Sequence, residues 1–125
     1  MQKVVITGHD LTVDQIIAVC REGAEVVLSD ESREKILASR QVVNELVEER
    51  KVVYGITTGF GKFSDVVISQ DECKLLQKNL IITHAVGAGD PFKEDIARGI
   101  LLLRVNSLSN GFSGICLETV ETVIA

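Results

Sequence analysis

"PFKEDIARGILLLRVNSLSN", from Pro91 to Asn110, is the stretch that decides the fold class. Its apolar side chains recur at helical spacing and cover much of the helix circumference: Ile96, Ile100, Leu101, Leu102, Leu103, Val105 and Leu108. Asp90 suits the N-cap, Pro91 the first helical position, and Asn110–Gly111 the end of the helix. Such a helix is normally buried on several sides. The stretch therefore predicts a mainly α-helical protein with this helix in its core.

The N-terminal part of the chain predicts a small β-structure. "KVVI" (Lys3–Ile6) and "AEVVL" (Ala24–Leu28) are β-branched runs bounded by turn residues, which is typical of short strands. Between them, Thr12 and Gln15 have the spacing of a capping box, which marks the start of a helix. We therefore expect two short N-terminal strands joined by a helix.

Three further helices are predicted from spacing and capping signals. One runs from about Ser32 to Arg50, with charged residues opposite an apolar face. Another follows Ser69, which forms a second capping-box pattern with Glu72. The last begins near Ser113, where the serine is expected to cap it, and stays apolar up to the final "TVIA". Because a domain seldom ends within an apolar pattern, we expect the 125 residues to be one N-terminal piece of a longer protein.

Composition excludes several classes of partner. The 125 residues carry a net charge of −5 with acidic and basic residues interspersed, which argues against a nucleic-acid surface or an acidic membrane. No apolar run approaches the ~18–20 residues of a membrane span, and the N-terminus does not resemble a signal peptide. Cys20, Cys73 and Cys116 are far apart and odd in number, which predicts reduced thiols in a cytoplasmic protein and no metal site.

A glycine-rich segment, "VYGITTGFGKF" (Val53–Phe63), follows the second helix and contains the only tyrosine, Tyr54. Gly55 and Gly61 are separated by five residues where a phosphate-binding P-loop has four, and Phe63 replaces its Ser or Thr, so that motif is excluded. Gly59 is the third glycine of the segment, and we expect a mobile loop over about 51–68. The short strands and first helices precede this loop, up to about residue 50, and further helices follow it over about 69–125. A tyrosine beside such a loop suits a lid that carries an acid–base group. The alternative is a half-buried ring whose hydroxyl is hydrogen-bonded.

His84 falls on the same predicted helix face as Leu76 and Leu80, just before a second glycine-rich turn. Backbone can approach a ligand closely at such a turn, which favours a binding role. The alternative is a helix-end residue stabilised by the negative end of the helix dipole. The spacing alone leaves both interpretations open.

Three motifs taken together resemble the aromatic amino acid lyase family, and within it the histidine ammonia-lyases: "YGITTGFGKF", "LQKNLIITHAVGAGDPF" and "RGILLLRVNSLSNGFSG". The resemblance covers Lys51–Ala125 in order and spacing, and "LTVDQIIAVCREGAEVVLS" more weakly. It implies the N-terminal portion of an aspartase-like helical fold that assembles as a homo-tetramer.

The resemblance also implies a chemistry, the conversion of L-histidine to trans-urocanate and ammonia. The family's electrophile is a methylidene-imidazolone group made from an internal Ala-Ser-Gly. Tyr54 matches the acid–base tyrosine of the mobile loop, with Gly55, Gly59 and Gly61 as its loop glycines. His84 matches the residue that orients the substrate imidazole, and its position after Thr83 resembles the histidine-specific version.

Two departures from the family pattern matter. Thr57 stands where the family usually has Asn, for which we expect a small effect on the loop. No Ala-Ser-Gly occurs, since Phe112 and Ser113 precede Gly114, so the chain alone is predicted to hold no cofactor and to be inactive. The alternatives are a lyase or aminomutase for another aromatic amino acid, and a non-catalytic helical binding module.

Overall fold

The computed structural model describes residues 2–59, 61–63, 66 and 68–125, without the side chains of Phe63, Gln70, Asp71 and Cys73. Its elements in chain order are β1 (Lys3–Ile6), α1 (Val13–Glu22), β2 (Glu25–Leu28), α2 (Asp30–Glu48), a short 3₁₀ helix (Gly61–Phe63), α3 (Gln70–His84), α4 (Glu94–Leu108) and α5 (Leu117–Ile124). This confirms the mainly helical fold class with two short N-terminal strands. None of the described helices is long and apolar enough to cross a membrane.

The chain divides into two compact units. Unit 1 contains the residues up to Gln41 together with Pro91–Ala125, and unit 2 is Val42–Asp90. Helix α2 contributes its first part to unit 1 and its last part to unit 2. Unit 1 is therefore discontinuous in sequence.

The two strands of unit 1 pair in parallel, with Lys3 opposite Glu25 and Ile6 opposite Leu28. Parallel strands need a crossover connection, and α1 provides it. Thr12 and Gln15 form the predicted capping box at its start, and Gly23 ends it with a φ of 73°. The capping box and the C-terminal glycine thus set the limits of the helix that connects the two parallel strands of unit 1.

The core of unit 1 lies between the sheet and the helices. Its buried members come from both strands, from α1, α2, α4 and α5, and from the turn before β2: Val4, Ile6, Ala18, Ala24, Leu28, Ile36, Leu102, Val105 and Val120. Helix α4 packs against α1 and α5, and α5 also contacts β2. Burial of this shared apolar surface is what stabilises the unit.

Two asparagines of α4 and its C-terminal turn hold the loop that follows β1. The backbone N–H of Gly8 donates to Asn106 Oδ1 at 3.2 Å, and the side-chain amide of Asn110 donates to the Gly8 carbonyl at 3.1 Å. Both backbone groups of Gly8 are thereby satisfied by residues about a hundred positions later in the chain.

Helix α4 differs from the sequence prediction in burial and in its start. Leu102 and Val105 are buried, but four of its apolar residues are about half exposed within this chain: Ile96, Ile100, Leu101 and Leu103. The expectation of burial on several sides is not met, because among the described elements only α1 and α5 pack closely against it. The predicted cap at Asp90 is also wrong: the helix begins at Glu94, with Lys93 as an N-cap that makes no side-chain hydrogen bond. Two acidic residues in the first turn, Glu94 and Asp95, stabilise this start through the helix dipole instead.

Helix α5 begins at Leu117, so the predicted cap at Ser113 is wrong. The Ser113 hydroxyl accepts from the Ile115 N–H at 3.4 Å, within a turn outside the helix. Gly111 and Gly114 have φ values of 73° and 67°, which keep this segment out of the right-handed helical region. The structure also starts α2 at Asp30, two residues before the prediction, because the Ser29 hydroxyl accepts from the Ser32 N–H and caps it.

Candidate active site

The glycine-rich loop of unit 2 is anchored at its start by Thr57. The buried Thr57 hydroxyl donates to the Lys51 carbonyl and accepts from the Val53 N–H at 2.9 Å. These bonds satisfy backbone groups that have no helix or strand to pair with. The residue that departs from the family pattern therefore has a defined local role in the fold of the loop.

Thr58 makes a second anchor. It is 1% exposed, and its hydroxyl accepts from the Gly55 N–H and donates to the Gly59 carbonyl. The Gly59 N–H in turn donates to the Val66 carbonyl at 3.2 Å. The threonines thus fix the backbone on either side of Tyr54.

Tyr54 lies on the outside of this loop, with 63% of its surface exposed. Its hydroxyl oxygen accepts from the Gly61 N–H at 3.4 Å. Gly61 has a φ of 56°, a left-handed conformation that favours glycine. The alternative interpretation of Tyr54 predicted a half-buried ring with a hydrogen-bonded hydroxyl. The hydroxyl is hydrogen-bonded, but the ring is mostly exposed.

Helix α3 presents His84 at its C-terminal end. The start of the helix has the predicted capping box, in which the Ser69 hydroxyl accepts from the Glu72 N–H and the Glu72 carboxylate bonds back to Ser69. The hydroxyl and, less strongly, the backbone N–H of Ser69 lower the pKa of Glu72 below its usual value. The capping box thus fixes the N-terminal end of α3, and His84 is the last residue at its C-terminal end.

The imidazole of His84 bonds to its own helix. Its Nδ1 lies 2.9 Å from the Leu80 carbonyl oxygen and 3.1 Å from Thr83 Oγ1. These contacts agree with the helix-end interpretation in position. They do not exclude the binding interpretation, because they engage only one ring nitrogen.

A cavity of about 1110 Å³ in unit 2 brings several predicted residues together. Its described lining residues are Gly59, Gly61, Val66, Ile68, Leu76, Leu80, Ile81, Thr83 and His84. The predicted face of Leu76, Leu80 and His84 is thus confirmed as one wall. Tyr54 and Gly55 are not among these lining residues, but the hydroxyl oxygen of Tyr54 accepts from the N–H of Gly61, which is one of them.

The cavity is mostly apolar, and Thr83 and His84 are its polar side chains among the described lining residues. Apolar pockets with a few placed polar groups are typical of small-molecule sites. No group of three His, Cys, Asp or Glu residues in the described ranges is placed to hold a metal ion.

Sequence reasoning missed two contributors, Thr58 and the pairing of Gly61 with Tyr54. Neither has a periodic signal, since both depend on the loop conformation. The predicted mobile loop also includes Phe60, Ser64, Asp65 and Val67, which lie outside the described residues. Its mobility stays a prediction.

A profile of the aromatic amino acid lyase family matches residues 11–125. Histidine ammonia-lyase from Caldanaerobacter subterraneus subsp. tengcongensis is 56% identical over 124 residues, which cover 99% of this chain and 24% of that protein. The crystal structure of histidine ammonia-lyase from Trypanosoma cruzi has a TM-score of 0.89 at 40% identity, over 98% of this chain and 23% of that one.

Tyrosine aminomutase from Streptomyces globisporus also matches, with a TM-score of 0.90 at 33% identity, again over 98% of this chain and 23% of that one. The chain thus spans about a quarter of the length of the curated relatives that it matches. The resemblance seen in the three motifs is confirmed by both sequence and structure. The chain belongs to the aromatic amino acid lyase family.

Proposed function

We propose that this chain is the N-terminal part of an enzyme that deaminates L-histidine to trans-urocanate and ammonia. The observation that carries the proposal is the cavity of unit 2, where His84 and Gly61 line one apolar space and Tyr54 bonds to Gly61. Two curated histidine ammonia-lyases are each 56% identical to the chain, which supports L-histidine as the substrate.

In this proposal Tyr54 moves a proton. Its hydroxyl oxygen accepts from the N–H of Gly61, a residue that lines the cavity. Removal of a weakly acidic β-proton from the substrate needs a positioned base, and a positioned acid–base group contributes ~10²–10⁴-fold to a rate. Tyr54→Phe in the complete protein should therefore lower kcat by at least about 10²-fold and change KM little.

His84 binds and orients the substrate ring in the same proposal. It supplies a polar ring in an otherwise mostly apolar wall. A site built to hydrogen-bond a polar ring discriminates against a ring that lacks those atoms, because its own polar group is left unpaired. His84→Leu should therefore raise KM for L-histidine and relax discrimination against L-phenylalanine.

The electrophile has to come from another part of the protein, because these 125 residues contain no Ala-Ser-Gly. In the family a methylidene-imidazolone group supplies the electron sink for loss of ammonia. The 125-residue chain is accordingly expected to be inactive with L-histidine. The half-exposed apolar residues of α4 support assembly of the complete protein into a homo-oligomer, a tetramer by family analogy.

A second candidate function is a lyase or aminomutase for another aromatic amino acid. The likeness to the tyrosine aminomutase of Streptomyces globisporus favours it. The polar side chains of Thr83 and His84 in the cavity lining count against a phenylalanine enzyme. A third, a non-catalytic helical module, would lack turnover altogether.

The deciding experiment supplies the complete protein with L-histidine, L-tyrosine or L-phenylalanine and identifies the products. Urocanate, followed by its ultraviolet absorbance, is the expected product. A β-amino acid or a cinnamate-type product would favour the second candidate, and no product at all would favour the third. Leu75→Ala is a control for the two site variants, since Leu75 is exposed on α3 and is not among the described lining residues.

A further inference from the structure

We infer that Asn110 is a site of spontaneous deamidation, which the fold of unit 1 suppresses and which proceeds when the unit opens. The modifying group is the backbone nitrogen of Gly111, with water as the co-reactant. The product is an aspartate or isoaspartate that no longer donates to Gly8, so the modification hinders reclosure of unit 1. Asn110 belongs to unit 1, and its chemistry is separate from the activity proposed for the complete protein.

Asparagine is one of the thermolabile residues of proteins, and a following glycine makes it most reactive. Of the four asparagines in the chain, only Asn110 precedes a glycine. After losing its proton to base, the Gly111 nitrogen attacks Cγ of Asn110. A C–N bond forms, the Cγ–Nδ2 bond breaks, and ammonia leaves with a proton from water. Water then opens the cyclic imide at either carbonyl, which gives aspartate or isoaspartate. Glycine favours this sequence because it has no Cβ to obstruct the attack.

In the closed unit both reacting groups are held by hydrogen bonds. The side-chain amide of Asn110 donates to the Gly8 carbonyl at 3.1 Å and to the Ser107 carbonyl at 3.3 Å. The Gly111 N–H donates to the Leu108 carbonyl at 3.1 Å. Attack requires the Gly111 nitrogen to give up its hydrogen and the amide to turn toward it, and both changes break these bonds. The closed fold therefore slows the reaction.

Both members of the reactive pair are required by the fold. Gly111 has a φ of 73°, and a Cβ there would lie 2.6 Å from the Cβ of Lys35. A Cβ on Gly8 would lie 2.8–3.0 Å from three atoms of the Asn110 amide, so the amide packs directly against Gly8. The Gly8 carbonyl can only accept, and an amide supplies the donor that it needs. The labile dipeptide is thus tied to the contact between the end of α4 and the loop after β1.

Deamidation removes that donor and adds a negative charge. An ionised carboxylate only accepts hydrogen bonds, so it faces the Gly8 carbonyl oxygen with no hydrogen between them. Isoaspartate also lengthens the backbone just before Gly111, where a single added Cβ would already collide with α2. A molecule that reacts while open therefore closes less stably afterwards. The converted fraction records the time that unit 1 has spent open.

The conversion rate tests the site and its protection. The complete protein is incubated at mildly alkaline pH, once native and once in denaturing guanidinium chloride, then digested at acidic pH. Mass spectrometry follows the peptide that contains Asn110, with Asn106, which precedes Ser107, as the internal comparison. In denaturant we expect Asn110 to convert faster than Asn106, and in the native protein at least about tenfold more slowly than in denaturant. No conversion in denaturant overturns the site, and equal rates in both states overturn the protection.

A core variant tests the link to opening. Val120 is buried in unit 1, and Val120→Ala raises the open population without changing the reacting residues. Leu75→Ala, at an exposed position of α3 in unit 2, is the control. We expect Val120→Ala to convert Asn110 at least about 3-fold faster than the parent under native conditions, and Leu75→Ala to leave the rate unchanged. The same rate in Val120→Ala and the parent overturns the link.

A matched pair of variants tests the effect of the product. Asn110→Asp reproduces one product, and Asn110→Ala removes the donor without adding a charge. Hydrogen exchange of the slowest α4 amides reports how often unit 1 opens. We expect exchange about 2- to 10-fold faster than in the parent for Asn110→Ala, from the lost hydrogen bond, and faster still for Asn110→Asp at neutral pH. An Asn110→Asp protein that exchanges no faster than the parent overturns the effect on reclosure.

Discussion

Gly111→Ala is expected to destabilise unit 1 through two separable effects. Gly111 has a φ of 73°, in the left-handed region where a side chain is strained. A Cβ at this position would also lie 2.6 Å from the Cβ of Lys35 and 2.7 Å from its backbone carbonyl carbon and oxygen. These atoms belong to α2 and cannot rotate away as a flexible side chain would, so the backbone has to move.

Gly23 provides the control for the magnitude. It has the same φ of 73°, but a Cβ there would meet nothing within 4 Å. Gly23→Ala should therefore cost only the left-handed strain, about 1–2 kcal/mol. Gly111→Ala should cost that amount plus about 1–3 kcal/mol for forcing the turn away from α2. The difference between the two variants isolates the steric term.

Amide hydrogen exchange measures the loss of stability of unit 1 in each variant. The slowest amides of α4, near the buried Leu102 and Val105, report the free energy of opening unit 1. We expect the loss in Gly111→Ala to exceed the loss in Gly23→Ala by at least about 1 kcal/mol. Equal losses would show that the turn and α2 move apart at no cost and would refute the reasoning.

Three further changes test other features. Ser32→Ala should leave the free energy of unfolding unchanged or raise it by up to about 1 kcal/mol, because the buried Ser32 hydroxyl makes no hydrogen bond to any described residue; a clear loss in urea denaturation would contradict this. Ser69→Ala should return the pKa of Glu72 toward its usual value. Because the pKa of Glu72 is lower in the folded state, the stabilisation from the cap is present above the unfolded-state pKa and is lost as the pH falls through the folded-state pKa. A carboxyl NMR titration that gives Glu72 the same pKa in the parent chain and in Ser69→Ala would exclude the assigned cause. The 125-residue chain should self-associate through the half-exposed face of α4, and Leu103→Glu should shift it toward monomer in sedimentation experiments more than Val13→Glu does; a compact monomer at tens of micromolar would contradict this.

Local side-chain bonds made much of the fold predictable. Both capping boxes are confirmed because they depend on residues three positions apart, and the strands are confirmed to within one residue. The starts of α4 and α5 were wrong for a different reason. Several residues near each start are acceptable caps, and the choice between them depends on the left-handed glycines and on tertiary packing.

Part of the candidate site was also predictable from local spacing. The spacing of Leu76, Leu80 and His84 gives one helix face, and that face lines the cavity. The placement of Tyr54 against Gly61 has no periodic signal, because it follows from the φ values of loop glycines and the bonds of Thr57 and Thr58. The roles of Tyr54 and His84 in catalysis rest on the resemblance and stay predictions.

The discontinuous make-up of unit 1 has a consequence for biosynthesis. A ribosome that releases β1 still has to add roughly a hundred residues before Asn106 and Asn110 can reach Gly8. At about 5–20 residues per second, that interval lasts on the order of ten seconds. Throughout it, the apolar inner face of the first two strands lacks Leu102 and Val105 to cover it. The nascent chain is therefore a candidate client for a ribosome-associated chaperone until α4 emerges.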